Sequence, residues 1–264
     1  MIKGIDVSII QGNIDWSALA ASGIQFCIIR CGVGNSGIDS NYIKNVAGAQ
    51  AAGLKVAAYN FLYPLPPQAG NPSRDPVAQA QMHAKAAGSV SVICCDLEWP
   101  TQPDWAKWGC SAAQIGEWTV AYLQAYQSLT GITPLVYTYP DFARQVNLPA
   151  AVGNYPLWIA SYEPTPNIPK PWTDWAIWQT TGGGGKLPNG APVDTDVARD
   201  LSLWQAAAPV APAPVFVPPA MPVEIPAPVA PPPAPVAPAP APTPSSNILS
   251  VIGQILNGIT KYLK

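Results

Sequence analysis

Charged side chains are scarce in this sequence and nearly balanced: they make up 11% of the residues, with 13 basic against 15 acidic side chains and a formal net charge of −2. No basic stripe is available to neutralise phosphates, so we expect no nucleic-acid partner. No run of about 18 apolar residues predicts a membrane-spanning helix. Residues 1–6 run directly into a strand pattern and lack the apolar stretch of a signal peptide, so we expect synthesis in the cytoplasm without one.

Cysteine and histidine are also few. The five cysteines are an odd number and cannot all pair with one another. Cys27 and Cys31 fall in one predicted strand, roughly 13 Å apart, which is too far for a disulfide. Because no CxxC spacing is present, we expect free, mostly buried thiols rather than a metal or redox site. The only histidine, His83, falls in a predicted helix, and we expect it at the surface.

Proline, in contrast, is abundant and unevenly placed, with 16 of the 33 prolines between Pro209 and Pro244. Residues 1–205 hold every tryptophan and nearly all charges, which is enough for one folded domain. Residues 206–246 consist mainly of Pro, Ala and Val, a composition that predicts an extended linker. Residues 247–264 regain helical periodicity, which predicts a C-terminal amphipathic helix. Its apolar face carries Ile248, Ile252, Ile255, Ile259 and Tyr262.

Eight apolar, β-rich runs recur along residues 1–205, and several are apolar almost throughout, as parallel strands covered on both faces are. Helical patterns fill the early gaps, whereas only a short helical piece near 141–146 follows the fifth strand. The pattern predicts an α/β fold, a TIM-like barrel with reduced helices, (β/α)5(β)3. The predicted strands are 3–8, 26–34, 55–64, 91–99, 134–140, 157–162, 175–181 and 193–198, and the longer helices are 15–22, 40–52, 76–87 and 111–129.

Carboxylates gather at the predicted strand ends, where barrels of this class carry their chemistry. Asp6 lies near the end of the first strand, and Asp194 and Asp196 lie on the eighth. Asp96 and Glu98 stand two residues apart on the fourth, so they project to the same side, about 6–7 Å apart at their backbones. Two neighbouring acids in an apolar strand raise at least one pKa, as the general acid of a glycosidase requires.

Aromatic side chains fall at the same strand ends, where flat rings can stack on the faces of sugars. Together with the acids they predict a carbohydrate cleft at this end of the barrel. The candidate sugar-binding residues are Tyr59, Trp99, Tyr137, Tyr162 and Trp178.

Several short motifs occur in an order that resembles the family-25 glycoside hydrolases, the Chalaropsis-type lysozymes, which include many phage endolysins. The resemblance spans about residues 2–205. Its motifs are Gly4-Ile5-Asp6-Val7-Ser8, Gln11-Gly12-Asn13-Ile14-Asp15-Trp16, Phe26-Cys27-Ile28-Ile29-Arg30 with Asp39 and Tyr42, Ala58-Tyr59-Asn60-Phe61, Asp96-Leu97-Glu98, Val136-Tyr137-Thr138, Leu157-Trp158-Ile159-Ala160-Ser161-Tyr162, Trp178-Gln179 and Val193-Asp194.

This resemblance implies an N-acetylmuramidase that acts on the peptidoglycan glycan strands of the bacterial cell wall and needs no cofactor. It implies Glu98 as acid/base, Asp96 as its partner, and Asp6 and Asp194 as further carboxylates. Only the Val-Asp element matches, so we expect Asp194 to belong to the site and Asp196 less so. Tyr59 and Tyr137 would line the subsite at the cleavage point, and Trp178 would add a wall.

Two positions depart from the family pattern, because Ile9 and Asn60 stand where the family commonly has histidine. Substrate preference is therefore open at this point. The alternatives to a phage endolysin are a carbohydrate-binding barrel with weak or no catalysis and a hydrolase of another amino-sugar polymer, such as chitin.

We predict that deleting residues 206–264 preserves hydrolysis of purified peptidoglycan but reduces lysis of intact cells and binding to anionic vesicles. The reason is that the helix 247–264 combines a broad apolar stripe with lysines, which suits contact with a membrane surface. The same 4-3-4-3 spacing also suits self-association. Turbidity loss and vesicle sedimentation measure the effect. Unchanged vesicle binding together with a shift from oligomer to monomer would favour self-association.

Overall fold

The computed structural model describes residues 1–34, 37–64, 75–99 and 110–205 of the chain. The predicted linker 206–246 and the predicted helix 247–264 lie outside these ranges. Within them, no helix is both long enough and apolar enough to cross a membrane.

The described residues form a closed barrel of eight strands with few helices, as predicted. Strand β1 pairs with both β2 and β9, which closes the sheet, and the two-residue β3 extends from β2 as an antiparallel appendage. The strands are β1 Ile2–Val7, β2 Phe26–Val33, β3 Gly37–Ile38, β4 Lys55–Phe61, β5 Ile93–Asp96, β6 Leu135–Thr138, β7 Leu157–Ala160, β8 Ile177–Lys186 and β9 Pro192–Ala198.

Helices cover the outside of the first part of the barrel, and local sequence signals set their ends. The Asp15 carboxylate caps α1, Asp75 followed by a proline begins α3, and Ser111 forms a reciprocal capping box with Gln114 at the start of α4. Gly131 ends α4 in the left-handed conformation. The α-helices are α1 Trp16–Ala21, α2 Tyr42–Ala51, α3 Pro76–Ala87, α4 Ala112–Thr130 and α5 Pro140–Val146.

Alternation along the strands divides the apolar side chains into an outer layer under the helices and an inner cluster that fills the barrel. Near the amino ends of the strands, the Phe26 ring of the inner cluster lies 5.1 Å from the Trp204 ring. Gly4 is required there, since a Cβ on it would lie 2.3 Å from the Phe26 ring. Aromatic rings therefore fill this end of the barrel.

The expectation of parallel strands holds from β1 to β8 among the barrel strands and is wrong for β9. Strand β9 is antiparallel to both β8 and β1. The reason is that β8 and β9 form a hairpin, which reverses the chain, whereas a parallel pair needs a crossover connection. As a result, Asp194, near the beginning of β9, lies opposite Asp6, near the end of β1.

The expectation of buried, unbridged thiols is confirmed, because all five cysteines are buried and no two of them form a disulfide. The expectation for His83 is wrong. Its side chain is fully buried between α3 and the barrel, with Nδ1 2.8 Å from the Tyr122 hydroxyl and Nε2 2.5 Å from the Gly34 carbonyl. Two polar partners at opposite ring nitrogens satisfy a neutral imidazole, and burial lowers the pKa of His83 to about 4.

Candidate active site

Five carboxyl groups meet at the end of the barrel where the parallel strands finish. Strand pairing sets Asp6 opposite Asp194, and β5 ends at Asp96. Asp196 lies two residues further along β9, deeper in the barrel and 1% exposed. Glu98 lies two residues beyond the end of β5, because that strand is shorter than the predicted 91–99. The acids that the sequence singled out are therefore brought together, with Asp196 beneath them.

Gln179 on β8 joins three of the site residues, and sequence reasoning missed it as a site residue. Its Nε2 donates to Asp6 Oδ2 at 2.7 Å, while its Oε1 accepts from the hydroxyls of Tyr137 at 3.1 Å and Tyr162 at 3.0 Å. The signal was present, since Gln179 follows the inward-facing Ile177 by two positions along the strand. This single amide fixes the orientation of one carboxylate and two tyrosines.

Backbone hydrogen bonds hold the Asp96–Glu98 segment between neighbouring strands. The Asp96 carbonyl accepts from the Leu62 amide at 2.8 Å, and the Leu97 amide donates to the Tyr137 carbonyl at 3.0 Å. The Asp96 carboxyl is buried, and its Oδ1 has no hydrogen-bond partner in the part of the chain that the structure describes. Glu98 is half-buried in an open cleft of about 430 Å³, which is also lined by Tyr137 and Tyr162.

Burial raises the pKa values of all five carboxyl groups, and repulsion from neighbouring carboxylates adds to the effect at every one except Asp194. Burial, followed by the charge of Asp194, raises the pKa of Asp6 to about 7 and the pKa of Glu98 to about 7. Burial raises the pKa of Asp96 well above its ordinary value, and the charges of Glu98 and Asp6 add to the effect. Burial raises the pKa of Asp194 as well, against the hydrogen bond from its backbone donor Gly183. The cluster therefore holds protons near neutral pH, as general acid catalysis requires.

Arg30 is the cation that opposes this repulsion. It lies on β2, and its charge favours the ionised forms of Asp96 and Tyr59, although burial still raises both pKa values. Its Nε donates to Asp39 Oδ2 at 3.0 Å, which holds the guanidinium in place. Asp39 Oδ2 also accepts from the Ile9 amide at 2.9 Å.

Three of the predicted aromatic residues lie with the acids. Tyr59 and Tyr137 pack on Trp158, a further inward-facing ring, with ring centroids 6.0 and 4.5 Å from it. Tyr162 is 60% exposed at the cleft. Sequence reasoning did not assign Trp158 to the site, although it occurs in the Leu-Trp-Ile-Ala motif. Of these rings, Tyr162 is exposed, whereas Tyr59, Tyr137 and Trp158 are buried beneath the cleft.

The two predicted tryptophans pack in the outer layer. Trp99 packs edge-on against Phe142 on α5, and its indole donates to Gln145 at 3.2 Å. The Trp178 indole donates to the Ser161 carbonyl at 2.5 Å. Their proposed contact with sugar stays a prediction.

The departures from the family pattern lie off the cleft floor. Asn60 follows the inward-facing Tyr59, so it faces outward, is fully buried and accepts a hydrogen bond from the Cys31 thiol. Ile9 is 45% exposed in a short helix after β1. Within the described ranges, no group of three or more His, Cys, Asp or Glu side chains is arranged to hold a metal ion.

A closed barrel with carboxyl groups and aromatic rings at one open end is the layout of a glycoside-cleaving enzyme. The sequence model of glycosyl hydrolases family 25 matches residues 5–186, and the chain belongs to this family.

Among its relatives, the autolytic lysozyme of Clostridium acetobutylicum is 32% identical over 171 residues, which are 63% of this chain and 47% of that protein. The chain thus matches about half the length of that relative. The N,O-diacetylmuramidase of Chalaropsis sp is 28% identical over 208 residues, 72% of this chain and 95% of that protein. The fold is similar to that of a bacterial lysozyme from Streptomyces coelicolor, with a TM-score of 0.67 at 24% identity, covering 75% of this chain and 92% of the other.

We predict that the free energy of unfolding falls as pH rises from about 4 to about 7, because Asp6 and Glu98 lose their protons less readily in the folded protein than in the unfolded chain. Both pKa values are higher in the folded protein than the ordinary values of 3.8 and 4.5, so the folded state binds more protons in this range. Their contribution is fully present below about pH 4 and is lost as pH passes about 7. Each pKa unit corresponds to about 1.4 kcal/mol. Urea unfolding across this range measures the effect.

The double variant Asp6→Asn, Glu98→Gln separates this contribution from that of His83. Because burial lowers the pKa of His83 to about 4, the histidine acts in the opposite direction and raises stability as pH rises. The difference between wild type and double variant removes the histidine contribution. Glu117→Gln, at an exposed position on α4, serves as the control. A difference that does not change with pH would contradict the assignment.

Proposed function

We propose that the chain is a peptidoglycan hydrolase, a lysozyme that cleaves β-1,4 bonds between N-acetylmuramic acid and N-acetylglucosamine. The observation that carries this proposal is Glu98, a half-buried carboxyl at an open cleft with a pKa raised to about 7, two residues beyond the buried Asp96. A carboxyl that keeps its proton near neutral pH can donate it to the departing sugar oxygen.

In the proposed reaction, Glu98 protonates the glycosidic oxygen as the bond to the anomeric carbon breaks. Asp96 steers the 2-acetamido group of the substrate, whose carbonyl oxygen attacks the anomeric carbon and stabilises the developing positive charge. Glu98, now ionised, then takes a proton from the water that opens this intermediate. Both displacements occur at the same carbon, so the configuration is retained.

The remaining residues would shape and polarise the site. Asp6 and Asp194 would provide negative charge beneath the oxocarbenium-like centre, and Tyr59 and Tyr137 would line the cleavage subsite. Tyr162 is exposed at the cleft and bonded to Gln179, which supports a role as a stacking surface. Trp99 and Trp178 would add further sugar-contacting walls to the cleft.

The names of the two relatives, a lysozyme and a muramidase, support the proposed substrate. We extend the proposal to a phage endolysin that is made in the cytoplasm of the host and acts on its cell wall. Contact with a membrane surface, or self-association, through residues 247–264 belongs to the same proposal. The order of the described helices and strands supports the finer architecture, five βα units followed by three strands.

We predict that Glu98→Gln folds normally but loses about 10²–10⁴-fold in hydrolysis of purified peptidoglycan, because an amide cannot supply the proton. The loss should be much smaller on an aryl glycoside, whose leaving group departs without protonation. In the wild type, the rate should fall as pH rises through about 7, since ionised Glu98 has no proton to donate. Reducing-end release and identification of the new end, with chitin as the comparison substrate, measure both activity and specificity.

Glu163→Gln is the matched control, because Glu163 lines the same cleft but is exposed. It should keep most of the activity. A Glu98→Gln variant with half the wild-type rate would refute the role of Glu98, and a rate higher on chitin than on peptidoglycan would refute the proposed substrate.

We predict that Asp96→Asn is nearly as damaging as Glu98→Gln, because the amide cannot steer and charge-stabilise the acetamido group. Unlike the Glu98 variant, the Asp96 variant should lose the same fraction of its hydrolysis rate on peptidoglycan and on aryl glycosides that carry the acetamido group. NMR of the first-formed product measures the anomeric configuration. An inverted product would exclude the mechanism with two displacements.

A further inference from the structure

Asp196 is a buried acid that the proposed reaction does not use. It lies on β9 inside the barrel and is 1% exposed. The Trp158 indole donates to its Oδ1 at 2.8 Å, but no N–H group among the described residues donates to its Oδ2. An ionised carboxylate at this depth would keep a bare oxygen out of water, which is costly.

The groups that face Asp196 are themselves acidic or neutral. They come from four directions: Asp6 on β1, Asp194 on β9 itself, Cys94 on β5 and Tyr162 after β7. The strand partner of Asp196 on β8 is Gln179, whose amide already donates to Asp6. No cation is among these described groups, so the Trp158 indole is the neutral donor that a negative charge on Asp196 would rely on.

The register of β1 with β9 sets Asp6 opposite Asp194 and Gly4 opposite Asp196, so Asp6 and Asp196 project from the same face of the pair, within hydrogen-bonding reach of one another. Two buried carboxyls in contact share one proton rather than both ionising. The proton belongs on Asp196 for two reasons. Asp196 is the more buried of the two. Each carboxyl has one donor, Gln179 for Asp6 and Trp158 for Asp196, but only Asp196 has a buried oxygen, Oδ2, that accepts nothing from the described residues. Burial accordingly raises the pKa of Asp196 well above its ordinary value, while the hydrogen bond from Asp196 lowers the pKa of Asp6.

We propose that Asp196 remains protonated at neutral pH and is a positioning residue, whose carboxyl O–H donates to Asp6 and, together with Gln179, orients that carboxylate toward the cleft. Its effect on the rate rests on the proposed function. Its effect on Asp6 does not, because the hydrogen bond exists whether or not peptidoglycan is the substrate.

Two substitutions separate the hydrogen bond from the negative charge. In Asp196→Asn, Oδ1 still accepts from Trp158 and Nδ2 takes the place of the donor to Asp6. In Asp196→Leu, a side chain of similar shape gives no donor. Removal of a neutral donor raises the pKa of Asp6, whereas removal of a negative neighbour lowers it. The direction of the shift therefore reports the protonation state of Asp196.

The experiment is a ¹³C NMR titration of the aspartate carboxyl carbons in the full chain, with Asp6 assigned by its loss in Asp6→Asn. We expect Asp196 to keep the chemical shift of a protonated carboxyl up to about pH 8. We expect Asp6 to titrate about one pH unit higher in Asp196→Leu, and within about half a unit of wild type in Asp196→Asn. The acidic limb of the pH–rate profile should move with Asp6 in the leucine variant and stay in place in the asparagine variant.

A downward shift of Asp6 in Asp196→Leu, an equal shift in both variants, or titration of wild-type Asp196 near pH 4 would overturn the proposal. If the leucine variant does not fold, the wild-type titration and the asparagine variant still test whether Asp196 is protonated. If wild-type protein fails to hydrolyse peptidoglycan, the proposed function fails while the titrations still test the hydrogen bond.

Discussion

The pairing of β1 with β9 is the contact on which the site depends. It closes the barrel. Its register places Asp6 directly opposite Asp194, and Asp196 two residues further along β9, deeper in the barrel. Without closure, the edges of β1 and β9 would carry unpaired backbone groups, and the acids would face water. In the closed barrel, the same carboxyl groups are removed from water, and their raised pKa values let them keep protons near neutral pH.

Crowding acids in a barrel is costly, and the surrounding residues limit that cost with a few directed contacts. Arg30 supplies one positive charge, Gln179 one amide donor and Trp158 one indole donor. Below them, the rings of Phe26 and Trp204 fill the barrel with apolar atoms. The site thus borders apolar side chains on one side and the open cleft on the other. Next to the apolar side chains, charge–charge interactions are stronger than in water.

Sequence patterns predicted most of the fold because the signals are local. Apolar runs marked the eight barrel strands, and the predicted helices 15–22 and 111–129 begin at the residues that cap α1 and α4. The candidate acids could be found for the same reason, since strand ends are visible in a sequence. The antiparallel direction of β9 could not be predicted in this way, because an apolar run does not reveal its direction. Only the length of the connection from β8 indicates whether the next strand is parallel or antiparallel.

The missed residues depended on contacts between distant segments. His83 resembled a surface histidine in a helix, and its burial follows from Tyr122 and Gly34, which the helical pattern alone does not bring near. Gln179 and Trp158 are inward-facing, but their importance comes from their partners on other strands. The alternation of apolar and polar residues along a strand predicts which side chains point inward. The register between paired strands determines which of those side chains come into contact.

The long-range bond from Gln179 to Asp6 joins residues 173 positions apart, and β9 follows even later. During synthesis from the amino end, Asp6, Asp96 and Glu98 leave the ribosome well before their amide donor and the strand that closes around them. The nascent chain therefore carries its acids as ordinary solvated carboxylates until almost the whole domain has been made. Assembly of the acid cluster becomes one of the last events in the maturation of the polypeptide, and a chain cut short before β9 would have neither a closed barrel nor a complete set of acids.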